Sequence, residues 1–410
     1  MKPTAPEKSS AYEHATEGLR GLAALLVVYT HALAPDPVTD LNFSPSPRFM
    51  RLDASQGAVL LFFVLSGYVI GITNKRVLSG PAVGEYLKRR AVRLVPLYLI
   101  AVALATAVGG FYGWRELVGT IFFLQHDLPF FGNVIPVIKA DHSLWTLNYE
   151  VIYYALFLLV WIRPRAHAIW LSFALLCGIA LWKLPISGAF FATYAAGWAF
   201  WLAGYCLAQT SKNESDAVGH SLPWPSLALI WFVTWRVKPL WWIAHRFHLL
   251  PVEESWMNFS YFDFIPASIL LLIATSGRRP KYYRAIAYAV VIWPIAFLAW
   301  RAWREHFGPG TFSFEAALAL LAVALWKWRP STAFLSIFAP VGSISYGIYI
   351  FHSPIQWFVA NHSHLPSGNL AAFTLRTAVF LSLTWLVAVV AEKHIQPWIK
   401  NAIVRKKARA

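Results

Sequence analysis

The chain has 410 residues, 58% hydrophobic and 13% charged, against roughly 25% charged in an ordinary soluble domain. A soluble fold of this size could not hide so much apolar surface, so the surplus faces lipid. The formal net charge of +16 would suggest nucleic acid in a soluble protein. Here the positive residues sit in short loops between apolar segments, as the positive-inside rule expects, and nucleic-acid binding is set aside.

A membrane span needs roughly 20 mostly apolar residues. Segments 18–35, 56–74, 92–110, 145–162, 166–184, 190–209, 222–243, 262–276, 284–301, 312–328, 336–358 and 370–391 meet or approach that length. They predict an all-α, polytopic transmembrane helical bundle of about 10–12 spans with no soluble domain. The segment 262–276 is short. The apolar stretch 117–131 contains Asp127 and Pro129 and reads as a re-entrant or surface segment. The first apolar stretch has no small-residue cleavage site behind it and reads as a retained helix. The organisation expected is a cytoplasmic segment 1–17, a transmembrane domain 18–397 and a basic cytoplasmic tail 398–410.

Loop charges test the order. Lys75, Arg76, Lys88, Arg89, Arg90 and Arg93 follow the second span, Arg163 and Arg165 the fourth, Arg278, Arg279, Lys281 and Arg284 the eighth, and Lys327 and Arg329 the tenth. The loop 359–369 has no Lys or Arg, and 244–261 sets Arg246 against Glu253 and Glu254. This alternation places both termini inside. The segment 211–221 fits least well, with Lys212 against Glu214 and Asp216. Cys177 and Cys206, the two cysteines, lie in apolar stretches and show no disulfide or metal spacing.

Charged and titratable residues inside apolar spans are costly, so each is a candidate functional residue. Arg20 and His31 are eleven residues apart, within about 20° of one helix face and about 16 Å apart along the axis. Arg20 falls near the cytoplasmic end and His31 past the midplane. A histidine there can take and return a proton near neutrality; packing and flank anchoring are the plainer alternatives. In the second span, Ser66 and Gly67 suit close helix packing. Arg90 and Arg93 are one turn apart and suit a phosphate by bidentate hydrogen bonding, or simple anchoring at the inner face. Glu150 opens the fourth span at a depth similar to His31, where a carboxylate wants a partner. Ser345, Tyr349 and His352 follow i, i+4, i+7 spacing and make one polar stripe on the eleventh span. Glu392, after the last span, reads as structural.

Six stretches in this order resemble acyltransferase family 3, a family of integral-membrane acyltransferases. They are Arg20-Gly-Leu-Ala…His31, Phe62-Phe63-Val-Leu-Ser66-Gly67-Tyr, Arg90-x-x-Arg93-x-x-Pro96-x-Tyr98, Trp145-Thr-Leu-x-x-Glu150, Ser345-Tyr346-x-x-Tyr349-x-x-His352-x-Pro354 and Glu392-x-x-x-x-Pro397. The resemblance covers 17–397, although 160–330 matches mainly by hydropathy. Thr146 stands where the family often has serine. The resemblance implies transfer of an acyl group, usually acetyl from acetyl-CoA, to a hydroxyl of a surface saccharide, a lipid-linked sugar or a small molecule. Some members carry a fused extracytoplasmic hydrolase-like domain, of which no counterpart is visible after 397.

The reading that joins these strands is a plasma (bacterial inner) membrane O-acyltransferase. Acyl-CoA is its donor substrate, with no permanently bound cofactor and no metal. Arg20, Arg90 and Arg93 would hold the CoA phosphates at the cytoplasmic rim. His31, oriented by Glu150, would act as general base on an acceptor hydroxyl. Tyr349, His352 and Ser345 would bind acceptor or stabilise the oxyanion. A homo-oligomer or a separate extracytoplasmic partner is compatible with this. The rivals are a transporter or flippase using the same residues as a proton relay, and a non-catalytic binding or assembly protein. Inverted internal symmetry would favour the first, and none is visible.

Overall fold

A computed structural model of the chain describes residues 6–408, apart from 34–38, 76–77, 127–134, 182–183, 185, 211–221, 249–260, 278–279, 282, 306–311 and 331. The stretches carrying Asp127 and Pro129, Lys212 to Asp216, Glu253 and Glu254, and Arg278 and Arg279 therefore lie outside the described residues. The elements run α1 (Pro6–Leu33), α2 (Ser55–Thr73), α3 (Gly80–Gly109), α4 (Trp114–Ile121), β1 (Gln125–His126), β2 (Ile135–Pro136), α5 (Trp145–Ile162), α6 (His167–Ala180), α7 (Ile186–Thr210) and α8 (Trp224–Val237). They continue with α9 (Pro239–Arg246), α10 (Phe264–Ser276), α11 (Tyr283–Glu305), α12 (Ser313–Ala324), α13 (Ala339–Gly342), α14 (Ser345–Asn361), α15 (Leu370–Val390) and α16 (Gln396–Ala408). A π-helical turn, Ala391–Ile395, joins the last two. The two-residue strands pair in parallel, Gln125 opposite Ile135.

Each of the twelve predicted spans contains helix, whereas the apolar stretch 117–131 is helical only as far as Ile121 among its described residues, and the chain is an all-α, polytopic integral membrane protein. Among the described residues, six helices are long and apolar enough to cross a membrane. A seventh span results if the pair Phe334–Gly342 and Ser345–Asn361, bent by 61°, is one crossing. The difference from twelve has local causes. The segment 222–243 breaks at Lys238, which takes a left-handed conformation (φ 47°) just before Pro239. The helices at 166–184 and 262–276 are apolar but short. On α6, Ile169, Phe173 and Leu176 are 71%, 54% and 65% exposed, and their i, i+4, i+7 spacing gives the outward apolar stripe that lipid requires.

The chain divides into two compact units. The first comprises 1–20, 60–75 and 163–339. Its core includes Val233 and Val237 of α8, Phe297 and Leu298 of α11 and Ala319 of α12. The Ser226 hydroxyl donates to the Ala322 carbonyl at 2.6 Å, and the Trp231 indole N–H to Ser268 at 3.1 Å. Gly67 meets the backbone of α7 here. A methyl group at Gly67 would lie 1.9 Å from the Trp201 carbonyl oxygen, and one at Gly204 would lie 1.9 Å from that of Val64. Small residues let two membrane helices touch backbone to backbone.

The second unit comprises 21–59, 76–162 and 340–410. Helix α3 starts at Gly80 because Ser79 caps it, its hydroxyl accepting from the Ala82 N–H. Pro96 lies inside α3 and cannot donate to the Val92 carbonyl. The Gln396 side chain supplies the missing donor at 2.5 Å. Similarly, α1 ends with free carbonyls. Thr39 donates to that of Ala32 at 3.0 Å, and Gln356 to that of His31 at 2.6 Å. These two bonds position the last turn of α1, where His31 sits.

Candidate active site

The second unit holds two polar clusters. In the first, the His31 ring packs edge-on against that of His352, with centroids 4.9 Å apart and planes at 68°. His352 is fully buried, and its Nδ1 lies 2.7 Å from the Tyr349 main-chain carbonyl. A carbonyl only accepts, so Nδ1 carries the proton. Among the described residues no carboxylate bonds this dry ring, and an unpaired buried imidazole is neutral. Its Nε2 then holds the lone pair, and the Ser353 hydroxyl lies 3.3 Å away. The half-buried His31 has a buried Nδ1 with no hydrogen-bond partner among the described residues. Asp53 and His142 act on the His31 ring electrostatically. The Asp53 carboxylate accepts from Thr30, the residue before His31, at 3.0 Å, and from Ser55 at 2.9 Å.

Tyr349 ties this cluster to the start of α5. Its phenol lies 2.7 Å from the Thr146 hydroxyl, which donates to the Ser143 carbonyl at 3.2 Å. Its main-chain carbonyl also faces the Ser143 hydroxyl at 3.1 Å. Ser143 in turn bonds to Asp141. Asp141 is fully buried. Burial pushes its carboxyl well above the usual carboxylate range, against the opposing pull of the Ser143 bonds. Beside it, Asn148 donates to the Gln125 carbonyl at 2.9 Å, and Tyr149 bonds His126 at 2.9 Å. Burial lowers His126 to about 4.

The second cluster is cationic. The Arg90 guanidinium lies over the rings of Tyr86 at 5.6 Å and Tyr154 at 5.4 Å. Its Nε is buried without a hydrogen-bond partner among the described residues. The Tyr154 phenol donates to Glu150, whose charge also acts on Tyr86 and Tyr346. One turn along α3, Arg93 pairs with Glu392 and lies over the Tyr346 ring at 5.4 Å. The other Glu392 oxygen accepts the Gly347 N–H at 3.2 Å. Tyr346 donates to the Leu94 carbonyl at 2.9 Å. Arg20 belongs to the first unit, where it pairs with Glu17 at 2.9 Å. Ser345 is buried in the first turn of α14.

Comparison with known proteins decides the family. A family model described as an acyltransferase domain, Acyl_transf_3, matches residues 13–392. The chain belongs to this family. An O-acetyl transferase of Shigella phage Sf6 is 24% identical over 401 residues, 92% of this chain and 94% of that protein. The exopolysaccharide production protein ExoZ of Rhizobium meliloti is 30% identical over 145 residues, covering 33% of this chain and 39% of that one. Protein 2 in the picA locus of Rhizobium radiobacter is 39% identical over 93 residues, covering 22% and 42%. The chain thus spans about two-fifths of the length of these two rhizobial relatives. No solved structure matches.

Within this family member, the structure brings His31, Tyr349 and His352 together in one cluster and Arg90, Glu150 and Arg93 in the other. Glu150 accepts a hydrogen bond from the Tyr154 phenol, and the Asp53 carboxylate acts on the His31 ring. Reading by spans passed over Asp53, Asp141, Ser143 and Gln356, which lie outside spans or act on main-chain atoms. Asp141-x-Ser143 does carry a local signal. The Asp141 side chain accepts the Ser143 N–H and so caps the turn His142–Leu144 that leads into α5. Thr146 keeps the hydroxyl that a serine would provide, and that hydroxyl is what Tyr349 contacts. Among the described residues, no group of three or more His, Cys, Asp and Glu could hold a metal.

Proposed function

We propose that the protein moves an acetyl group from acetyl-CoA to a hydroxyl of a cell-surface saccharide or lipid-linked sugar. The observation that carries this is His31. Its imidazole has an uncommitted, buried nitrogen and is held against a neutral histidine in the unit that also contains Arg90 and Arg93. His31 takes the proton of the acceptor hydroxyl as its oxygen attacks the thioester carbonyl carbon. The carbon–sulfur bond breaks, and the CoA thiolate leaves and receives that proton back from the imidazolium. Arg90, backed by Tyr86 and Tyr154, binds a CoA phosphate, since a guanidinium stacked on aromatic rings is weakly hydrated and donates in a fixed plane. Glu150 acts at this end, holding the Tyr154 phenol under Arg90. The loop charges support an inner-membrane protein with this cationic end and both termini in the cytoplasm.

The names of the phage O-acetyl transferase and the exopolysaccharide production protein support a saccharide acceptor. The test is mass spectrometry of surface glycans and lipids from cells with and without the gene. An acetyl-sized increment is expected to disappear on deletion and to return with the wild-type chain but not with His31→Ala. Full restoration by His31→Ala would overturn the base assignment, and unchanged glycans would overturn the acceptor class.

A further inference from the structure

The Tyr349 carbonyl is an unusual meeting point. In a regular helix it would serve the N–H four residues on; here it also faces the His352 Nδ1 at 2.7 Å and the Ser143 hydroxyl at 3.1 Å. Ser143 belongs to the turn that leads into α5 and His352 to α14, so one oxygen ties two elements together. Ser143 has a single hydroxyl proton yet faces two acceptors, Tyr349 and Asp141. A protonated Asp141 removes the shortage. It donates to the Ser143 oxygen, and the Ser143 hydroxyl donates its own hydrogen bond to the carbonyl. The full burial of Asp141 favours that neutral form.

We propose that Asp141, Ser143 and the Tyr349 carbonyl form a positioning arm that fixes the tautomer and ring angle of His352, and through His352 the ring of His31. This deepens the acyl-transfer reading and rests on it for the use to which the His31 proton is put. His352 is then a positioning residue and not an acceptor-binding one. Its Nδ1–H is spent on the main chain, and the edge of its ring sets how the His31 ring stands. Asp141 and Ser143 gain a role that no spacing in the sequence assigns them.

The two ring nitrogens of His352 can be tested separately. Asparagine places an amide nitrogen near the position of Nδ1, whereas glutamine reaches toward Nε2. His352→Asn is therefore expected to retain kcat within about tenfold. His352→Gln should lose about 100-fold, the order expected when a reacting group is displaced by about 1 Å, with little change in KM for acetyl-CoA. Ser143→Ala should lower kcat, Ser143→Thr should restore it, and Asp141→Asn, which still donates, should outperform Asp141→Ala. A second readout needs no turnover: carbethoxylation of His31 by diethyl pyrocarbonate, followed by peptide mass spectrometry of the full-length protein in detergent. Its rate should change at least about threefold in His352→Gln and Ser143→Ala but not in His352→Asn or Ser143→Thr, because ring reactivity follows ring orientation. An unchanged His31 rate in every variant would overturn the arm. So would a better kcat for His352→Gln than for His352→Asn, which would place Nε2 on the substrate. Absence of acetyl transfer by the wild type would instead defeat the functional reading, while the modification rates would still decide the arm.

Discussion

The cationic cluster around Arg90 and the imidazole cluster around His31 belong to the same compact unit but handle polarity in opposite ways. Around Arg90 and Arg93, charge is met by charge and by aromatic faces: Glu392 pairs with Arg93, and the rings of Tyr86, Tyr154 and Tyr346 lie against the guanidiniums. Around His31 and His352 the rings meet each other, and their support comes from main-chain carbonyls and hydroxyls. The first arrangement suits holding an anion, because a guanidinium keeps its charge at any physiological pH. The second suits moving a proton, because an imidazole can gain and lose one. Under the proposed function the contrast assigns binding to one cluster and chemistry to the other, which kinetics can test.

The sharpest break between the clusters is expected at His31. His31→Ala should lower kcat by about 10²–10⁴-fold, the usual worth of a positioned general base. KM for acetyl-CoA should stay within a few-fold. Steady-state kinetics on purified protein checks this, and a rise in KM with kcat preserved would move His31 into the binding cluster.

Arg90 should show the reverse pattern at smaller amplitude. Losing one charge-assisted contact costs about 1.5–3 kcal/mol, so Arg90→Ala should raise KM for acetyl-CoA about 10–100-fold with kcat little changed. Arg90→Lys should recover only part of this. The charge returns, but the flat guanidinium that lies over Tyr86 and Tyr154 does not. Dephospho-CoA thioesters, compared with acetyl-CoA, would show whether the contact is with the 3′-phosphate. Equal KM values for the two donors in wild type would rule that phosphate out.

How much of this was legible follows from the range of each interaction. Apolar length is a local property, and the segments read as 145–162 and 370–391 became α5 (Trp145–Ile162) and α15 (Leu370–Val390). Helix α3 begins at Gly80, well before the apolar run at 92. Its first turns carry Glu85, Lys88, Arg89 and Arg90 and are helical because of the Ser79 cap, which hydropathy does not register. The short helices α6 and α10 are apolar without reaching the length that a lone straight span needs. The stripe Ser345, Tyr349, His352 was readable as helical spacing. Its partner ring on His31 lies at the other end of the chain, and its anchor is a main-chain oxygen common to every residue type. Glu150 could be recognised as a carboxylate in need of a partner. That Tyr154, one turn along the same helix, supplies one depends on packing and not on spacing alone.

The smallest effect expected, and the one that most refines the comparison, concerns Arg93. Its spacing pairs it with Arg90 as a phosphate ligand, yet the two arginines have different surroundings. Arg93 is paired with Glu392, 299 residues away, whereas Arg90 has a buried Nε without a partner among the described residues. The Glu392 side chain is 2% exposed and that of Arg93 40%. Removing one member of a buried pair costs about 3–5 kcal/mol, but solvent reaches Arg93 and screens the interaction. A double-mutant cycle with Arg93→Met and Glu392→Gln should therefore give a coupling of about 1–2 kcal/mol in thermal or denaturant stability. If Arg93 serves mainly to hold α3 to the turn that carries Glu392, Glu392→Gln and Arg93→Met should lower stability together. KM for acetyl-CoA should then rise far less than in Arg90→Ala. If Glu392→Gln instead lowers KM, Glu392 competes with the donor for Arg93, and both arginines belong to the anion site.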